Sequence, residues 1–105
     1  MFFIYTTVSS QAEAKSIIRD LLSQGMIACA NVFAPVISFF FWEGELSESE
    51  EVVVIMKVKE SQRGSVMERI KELHSYEFPS IAAWKADKVD KDFLKWVETS
   101  EKVHY

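Results

Sequence analysis

The sequence predicts an α+β fold in a single domain that spans residues 1–105. Strand-like and helix-like segments follow one another in the order β-α-β-β-α-β, and one more helical segment comes near the end. A chain of 105 residues is long enough to bury one hydrophobic core but leaves little for a second. The apolar fraction of 49%, which includes eight Phe residues, indicates a folded globular protein rather than a disordered one.

The first strand and helix have clear local patterns. Residues 2–8 are rich in β-branched and aromatic side chains, which favours a strand. Ser10 stands three residues before Glu13, the spacing of a capping box at a helix start. Gly25 tolerates the left-handed conformation that ends many helices. Between these signals the apolar residues have helical spacing, and they predict one face packed on a sheet: Ala14, Ile17, Ile18, Leu21 and Leu22.

The middle of the chain predicts two extended segments and a turn. Residues 26–42 are extended, and Pro35 within them marks a bulge or an unpaired edge because it has no N–H group. Residues 43–50 are polar and carry four Glu, so they predict a solvated turn rather than a cation site. Residues 51–59, with an apolar centre, predict the returning strand.

The last third predicts a helix, a strand and a final helix. The second helix starts at about Ser61 or Ser65 and runs to His74. Pro79 precedes a fourth strand at about 81–86, and Asp90 can cap the last helix. The complete order matches the ferredoxin-like motif with an added C-terminal helix.

The predicted hairpin is too long and too aromatic for a monomer of this size. Residues 26–42 would span roughly 55 Å at about 3.3 Å each, whereas a compact domain of this length is only roughly 33 Å across. Either Pro35 divides the strand or the hairpin projects beyond the core. Consecutive aromatics at 39–42 make both faces of the ribbon apolar. We therefore expect an oligomer, and the alternative is that the C-terminal helix covers the second face.

Charge and composition exclude several classes of partner. The net charge is −4 and the Lys and Arg residues are scattered, so we expect neither nucleic acid nor an anionic membrane as a partner. No segment has the length and hydropathy of a membrane span, and the first residues lack the features of a signal peptide. Cys29 is the single cysteine and so has no disulfide partner in the chain. Together these observations predict a cytoplasmic protein.

Six short segments carry a resemblance to a known family. In chain order they are Tyr5-Thr6-Thr7, Ile27-Ala28-Cys29-Ala30-Asn31, Trp42-Glu43-Gly44-Glu45, Met56-Lys57, His74-Ser75-Tyr76-Glu77-Phe78-Pro79 and Phe93-Leu94-Lys95-Trp96. With this order and spacing the chain resembles the CutA family of divalent-cation tolerance proteins over nearly its whole length. The resemblance implies a homotrimer of ferredoxin-like subunits, similar in build to PII signalling proteins. It also implies a role in tolerance of copper and other divalent cations, with no essential cofactor and no enzyme activity.

Cys29 and His74 are the candidate metal ligands. Thiolate and imidazole are ligands that suit copper and zinc. A stable metal site needs three or four ligands, and the chain has no metal-binding spacing of Cys or His residues. A second subunit could supply the remaining ligands. The alternative for Cys29 is a small buried strand residue, and for His74 a residue favoured by the helix dipole at a C-terminus. We expect His74 to contribute more to copper binding than Cys29.

The resemblance to PII proteins also implies small-molecule sites in clefts between subunits. Lys57 is one candidate, because it follows apolar residues on a predicted central strand. If its side chain points into a cleft, it binds an anion or pairs with a carboxylate; if it points outward, it is an ordinary charge at the strand end. The full set of candidates for this ligand cleft is Lys57, Tyr76, Glu77 and Trp42. Two other function classes remain open: a small enzyme with a Cys29/His74 nucleophile pair, and a purely structural trimeric scaffold.

Overall fold

In the computed structural model, which describes residues 1–99, two helices cover one face of an antiparallel sheet. The strands pair in the order β2-β4-β1-β5, and β3 pairs with the first part of β4. This architecture confirms the predicted βαββαβ fold with an added C-terminal helix. The elements are β1 (Phe2–Val8), α1 (Gln11–Ser23), β2 (Cys29–Val32), β3 (Val36–Trp42), β4 (Glu45–Val58), a 3-10 turn (Glu60–Gln62), α2 (Arg63–Leu73), β5 (Ile81–Lys85) and α3 (Lys91–Thr99).

The start of α1 has the predicted cap in a modified form. The Ser10 hydroxyl accepts the N–H of Glu13 at 3.1 Å, as a capping box requires. The Glu13 carboxylate, however, does not return to Ser10. It accepts the N–H of Ser9 at 3.1 Å and the Ser9 hydroxyl at 2.8 Å. The second half of the capping box is therefore formed with Ser9, one residue before Ser10. The other carboxylate oxygen of Glu13 can then bind a residue that is distant in the sequence.

The core lies between the sheet and the two helices. On β4, Val52, Val54, Met56 and Val58 alternate with half-buried residues and are at most 3% exposed. This alternation follows from the two-residue repeat of a strand that faces a helix layer on one side. Helix α1 contributes Ala14, Ile17 and Leu21, as its apolar spacing predicts. Ile4 of β1 and Val66 and Ile70 of α2 complete this side of the core.

Pro35 divides the long extended segment, and the hairpin also projects. Strand β2 ends at Val32 and β3 begins at Val36, so Pro35 lies in the break where no ladder hydrogen bond is required of it. Strands β3 and β4 then continue past the core as a two-stranded ribbon, residues 36–51, which we call the hairpin. The described chain measures 46 × 27 × 24 Å, which agrees with a core carrying a projecting arm.

The predicted polar turn at 43–50 is wrong, because the turn contains only Glu43 and Gly44. Both have positive φ, 52° and 81°, as a two-residue type I′ hairpin turn requires. Residues 45–50 belong to β4 and pair with β3, from Glu45 opposite Trp42 to Glu50 opposite Ile37. Cross-strand pairing therefore overrides the weak strand preference of Glu and Ser.

Two further boundaries differ from the sequence prediction. Helix α2 begins at Arg63 after the 3-10 turn, and no side chain caps it, so neither Ser61 nor Ser65 starts the helix. Strand β5 ends at Lys85, one residue earlier than expected. Asp90 does cap the last helix, since its carboxylate accepts the N–H of Phe93 at 3.1 Å.

Helix α3 does not cover the hairpin. Its Val97 packs with Met1 and Ala28, against Phe3. These residues lie at the end of the sheet where β4 finishes, because Phe3 pairs with Lys57. The alternative in which the C-terminal helix covers the second apolar face of the hairpin is therefore wrong. Among residues 1–99, no helix has the length and apolar character needed to cross a membrane.

Candidate functional site

A cluster of polar side chains lies where β1 ends, α1 begins and α2 finishes. These three ends meet because α1 and α2 lie on the same face of the sheet. The loop that follows α2 then passes the base of the hairpin. We call this group the His74 cluster, and its members are Thr7, Glu13, Glu51, His74, Ser75 and Tyr76.

Both ring nitrogens of His74 are used by the protein backbone. Nε2 lies 2.8 Å from the carbonyl oxygen of Thr7, and Nδ1 accepts the N–H of Tyr76 at 3.1 Å. A carbonyl can only accept and a backbone N–H can only donate, so the proton is on Nε2 and the ring is neutral. The side chain is completely buried. His74 therefore ties the end of α2 to β1 in this chain.

Glu13 is one of the two carboxylates of the cluster, with Glu51. One oxygen binds Ser9, and the other accepts the N–H of Ser75 at 2.8 Å and lies 3.8 Å from Nδ1 of His74. Burial by itself raises the pKa of this carboxyl, but the hydrogen bonds from Ser75 and Ser9 outweigh burial and lower it to about 2. Glu13 is thus a fixed negative charge that holds the loop after α2 against α1.

Tyr76 connects the cluster to the hairpin. Its hydroxyl donates to Oε2 of Glu51 at 2.8 Å, and its ring packs against His74 with centroids 4.8 Å apart. Burial raises the pKa of Tyr76 to about 12, and the carboxylates of Glu51 and Glu13 add to the effect. The phenol therefore stays protonated and remains a hydrogen-bond donor.

Cys29 lies far from His74 in a single chain. Thr7, which His74 contacts, pairs with Val53 of β4, whereas Cys29 pairs with Lys57. Four residues along a strand correspond to about 13 Å. Cys29 is half-buried, and burial raises the pKa of its thiol, an effect that nearby Lys57 only partly offsets. The two predicted metal ligands therefore do not meet within one subunit, and Cys29 is a protonated, weakly reactive thiol.

The predicted ligand-cleft residues also occupy separate places. Lys57 binds the side-chain oxygen of Asn31 on β2. Trp42 is at the hairpin tip, opposite Glu45, so it is twelve residues or about 40 Å from Lys57 along β4. Glu77 is exposed and lines a shallow groove of about 320 Å³ beside Phe78. Of the four candidates, only Tyr76 belongs to the His74 cluster.

The described residues do not form a metal site by themselves. No group of three or more His, Cys, Asp or Glu side chains within residues 1–99 is placed to hold a metal ion. His74 could offer Nδ1 to a metal only by losing its bond to Tyr76, with Glu13 as the nearest carboxylate. The roles of His74 and Cys29 in metal binding remain predictions.

Sequence reasoning missed the two carboxylates of the cluster. The local sequence pattern indicates a capping role for Glu13, and it assigns Glu51 to the start of the returning strand after a polar turn. Contacts over 62 positions, as between Glu13 and Ser75, leave no local pattern in a sequence. The useful signal is Ser9, whose N–H and hydroxyl both donate to one carboxylate oxygen of Glu13 and leave the other oxygen to bind Ser75.

Most of the exposed large apolar side chains among residues 1–99 lie on the hairpin. Phe41 is 76% exposed, Phe39 66% and Trp42 57%. Directly opposite residues share a face, so the register places aromatics on both faces of the ribbon. Ile37, Phe39 and Phe41 occupy one face, while Val36, Phe40 and Trp42 occupy the other. A surface of this kind is typical of a protein–protein contact.

The fold is that of a ferredoxin-like α+β protein with a projecting hairpin. Within this class the chain belongs to the CutA1 divalent ion tolerance protein family, whose pattern matches residues 2–100. The divalent-cation tolerance protein CutA of Pyrococcus horikoshii is 39% identical over 97 residues, which cover 92% of this chain and 94% of that protein. The family name describes tolerance of divalent cations and not an enzymatic reaction.

Solved structures of relatives have the same fold. A crystal structure of Pyrococcus horikoshii CutA matches with a TM-score of 0.91 at 38% identity, covering 96% of this chain and 99% of that one. A structure from Archaeoglobus fulgidus, described as a periplasmic divalent cation tolerance protein, matches with a TM-score of 0.89 at 37% identity. It covers 93% of this chain and 96% of that one. The whole fold, hairpin included, is therefore common to these proteins.

Proposed function

We propose that this chain acts as a homotrimeric binding module in the response to divalent cations, with copper as the first candidate. Metal or a small ligand would bind at clefts between subunits. The observation that carries the proposal is the hairpin, whose apolar residues are exposed on both faces of a single chain. No enzyme activity is part of the proposal.

The two faces of the hairpin favour a ring over a dimer. In a closed ring of three subunits each subunit has two neighbours, whereas a two-fold dimer offers only one. A ribbon with Phe39 and Phe41 on one face and Phe40 and Trp42 on the other needs cover on both sides. In a ring, one neighbouring subunit can cover each face of the ribbon. Burying these side chains stabilises the assembly by about 1.5–3 kcal/mol per large side chain.

Light scattering tests the assembly directly. A trimer of 12.1 kDa chains has three times that mass, and we expect this mass at micromolar concentration. Phe41→Glu places a charge in the proposed contact and should produce monomers. The matched control is Phe41→Tyr, which keeps the ring and should remain trimeric. A wild-type mass equal to one chain would contradict the proposal.

Copper titration by calorimetry tests the metal part of the proposal. We compare the wild type with His74→Ala and Cys29→Ser, and we expect the larger loss of affinity for His74→Ala. Because His74 is buried, the mass and melting temperature of each variant must be measured in parallel. Equal, weak binding by all three proteins would favour the alternative of a structural scaffold. Loss of binding only in Cys29→Ser would reverse the proposed order of the two ligands.

A nucleotide panel in the same calorimeter tests the ligand cleft. Lys57, Trp42, Tyr76 and Glu77 are separated in one chain, so a cleft that uses them requires a second subunit. Binding that disappears in the Phe41→Glu monomer would support such a cleft. The proposed location is the cytoplasm, and cell fractionation distinguishes it from the periplasm named for the Archaeoglobus fulgidus relative.

A further inference from the structure

We infer that Tyr76 is a positioning residue that holds the hairpin at its angle to the sheet through the hydrogen bond to Glu51. The inference goes beyond the proposed function because it concerns a single chain. It also gives His74 a role in the described structure that needs no metal. The direction of the hairpin depends on where it leaves the sheet and on which contacts hold it there.

Glu51 stands at the point where β4 loses its neighbours in the sheet. From Val52 onward β4 pairs with β1, beginning opposite Val8, and from Val54 it also pairs with β2. Before that point β4 pairs only with β3, and Glu51 forms the last of these pairs with Val36. A two-stranded ribbon is only marginally stable without further packing. Its direction is therefore sensitive to any contact at its base.

Tyr76 supplies that contact. Within residues 1–99, the hydroxyl of Tyr76 is the single side-chain donor outside the hairpin that hydrogen-bonds to it, and no ion pair reaches residues 36–51. The acceptor is a carboxylate, and such charge-assisted bonds are roughly twice as strong as neutral ones. One bond therefore provides the specific side-chain link between hairpin and core.

The position of Tyr76 is itself determined by the core. Its N–H donates to Nδ1 of His74, its ring packs on the imidazole, and Nε2–H of His74 donates to the carbonyl of Thr7. The contacts run without interruption from β1 through His74 and Tyr76 to Glu51. A buried imidazole with both nitrogens engaged has one orientation, so the phenol has one as well.

Amide hydrogen exchange of the full-length protein tests the inference, with each variant compared in the Phe41→Glu background so that no neighbouring subunit covers the hairpin. In Tyr76→Phe, which removes only the hydroxyl, we expect exchange in β3 to be roughly 10-fold faster or more, with β1 unchanged. The matched control is Tyr5→Phe on β1, whose hydroxyl makes no hydrogen bond among the described residues; it should leave both strands unchanged. Glu51→Gln should reproduce the Tyr76→Phe effect in part, and the double variant should add little to Tyr76→Phe.

Three results would overturn the inference. These are unchanged exchange in β3, equal acceleration in β1 and β3, and full additivity of the two substitutions. Equal acceleration would mean that Tyr76→Phe weakens the whole fold, and additivity would mean that the two side chains do not act through one bond. Light scattering on the same samples reports assembly independently, so failure of the trimer proposal has a different signature.

Discussion

Strand β4 passes through two regions that are stabilised by different interactions. From Val52 to Val58 it lies in the sheet, and every second side chain is almost completely buried against α1 and α2. From Glu45 to Glu51 it forms the hairpin, where most side chains of both strands are exposed. One continuous strand is thus stabilised at one end by a core and at the other only by its turn, its backbone ladder and Tyr76. The hairpin, and not the core, therefore depends on what surrounds the subunit.

The largest expected effect separates the two regions by their dependence on protein concentration. Ile70→Ala removes a fully buried side chain and should lower the free energy of unfolding by about 2–5 kcal/mol at any concentration. Trp42→Ala should cost about 3–5 kcal/mol if a neighbour buries the ring, but little in dilute monomer. Thermal unfolding from nanomolar to micromolar concentration measures both effects, because assembly couples stability to concentration.

A concentration-independent effect of Trp42→Ala would contradict this difference between the core and the hairpin. It would mean that the indole is buried within its own subunit. A fully stable Trp42→Ala trimer would instead show that the tip of the hairpin lies outside the interface. The Ile70→Ala variant serves as the reference in both cases, since its residue is 0% exposed in one chain.

Acid should weaken the core region through Glu13. The folded pKa of about 2 lies below the unfolded value of 4.5, so ionised Glu13 stabilises the fold above about pH 4.5 and this contribution disappears as the pH falls toward 2. A shift of this size corresponds to about 3 kcal/mol, for a side chain that is only 14% exposed. Urea unfolding of the wild type and Glu13→Gln between pH 6 and pH 2 measures it. An equally steep loss in Glu13→Gln would assign the acid sensitivity to other groups.

Thr6→Val should stabilise the core slightly. Thr6 is completely buried on β1, and its hydroxyl oxygen is the one buried polar side-chain atom within residues 1–99 without a hydrogen-bond partner. Val has nearly the same shape and no polar atom, so the substitution removes an uncompensated desolvation cost. We expect a gain of about 1 kcal/mol. Unchanged or lower stability in denaturant unfolding would show that the hydroxyl has a partner in solution.

The smallest expected effect lies at the hairpin turn. Glu43 has φ of 52°, a conformation in which Asn is favoured over Glu, and it precedes Gly44. Glu43→Asn should therefore slow amide exchange in β3 by a few-fold, equivalent to roughly 0.5 kcal/mol. Exchange in β1 is the internal reference. Faster exchange in β3 after this substitution would mean that the Glu43 side chain stabilises the hairpin.

Local patterns in the sequence were sufficient for the order of the elements. The Ser10 cap, the apolar spacing of α1 and the Asp90 cap each act within a few residues, so they can be interpreted without a partner. The excess length of residues 26–42 predicted that either Pro35 divides the strand or the hairpin projects, and the structure shows both. The apolar run at 52–56 predicted the returning strand, but it did not show that only every second residue of that strand is fully buried.

The arrangement of the candidate site depends on contacts between residues that are distant in the sequence. The separation of His74 from Cys29 depends on strand register, which a sequence does not display. The extension of β4 through residues 45–50 depends on pairing with β3, which overrides local propensity. The contacts of Glu13 with Ser75 and of Tyr76 with Glu51 join residues 62 and 25 positions apart. Such contacts form because packing brings chain ends together, and they have no local energetic signal in the sequence itself.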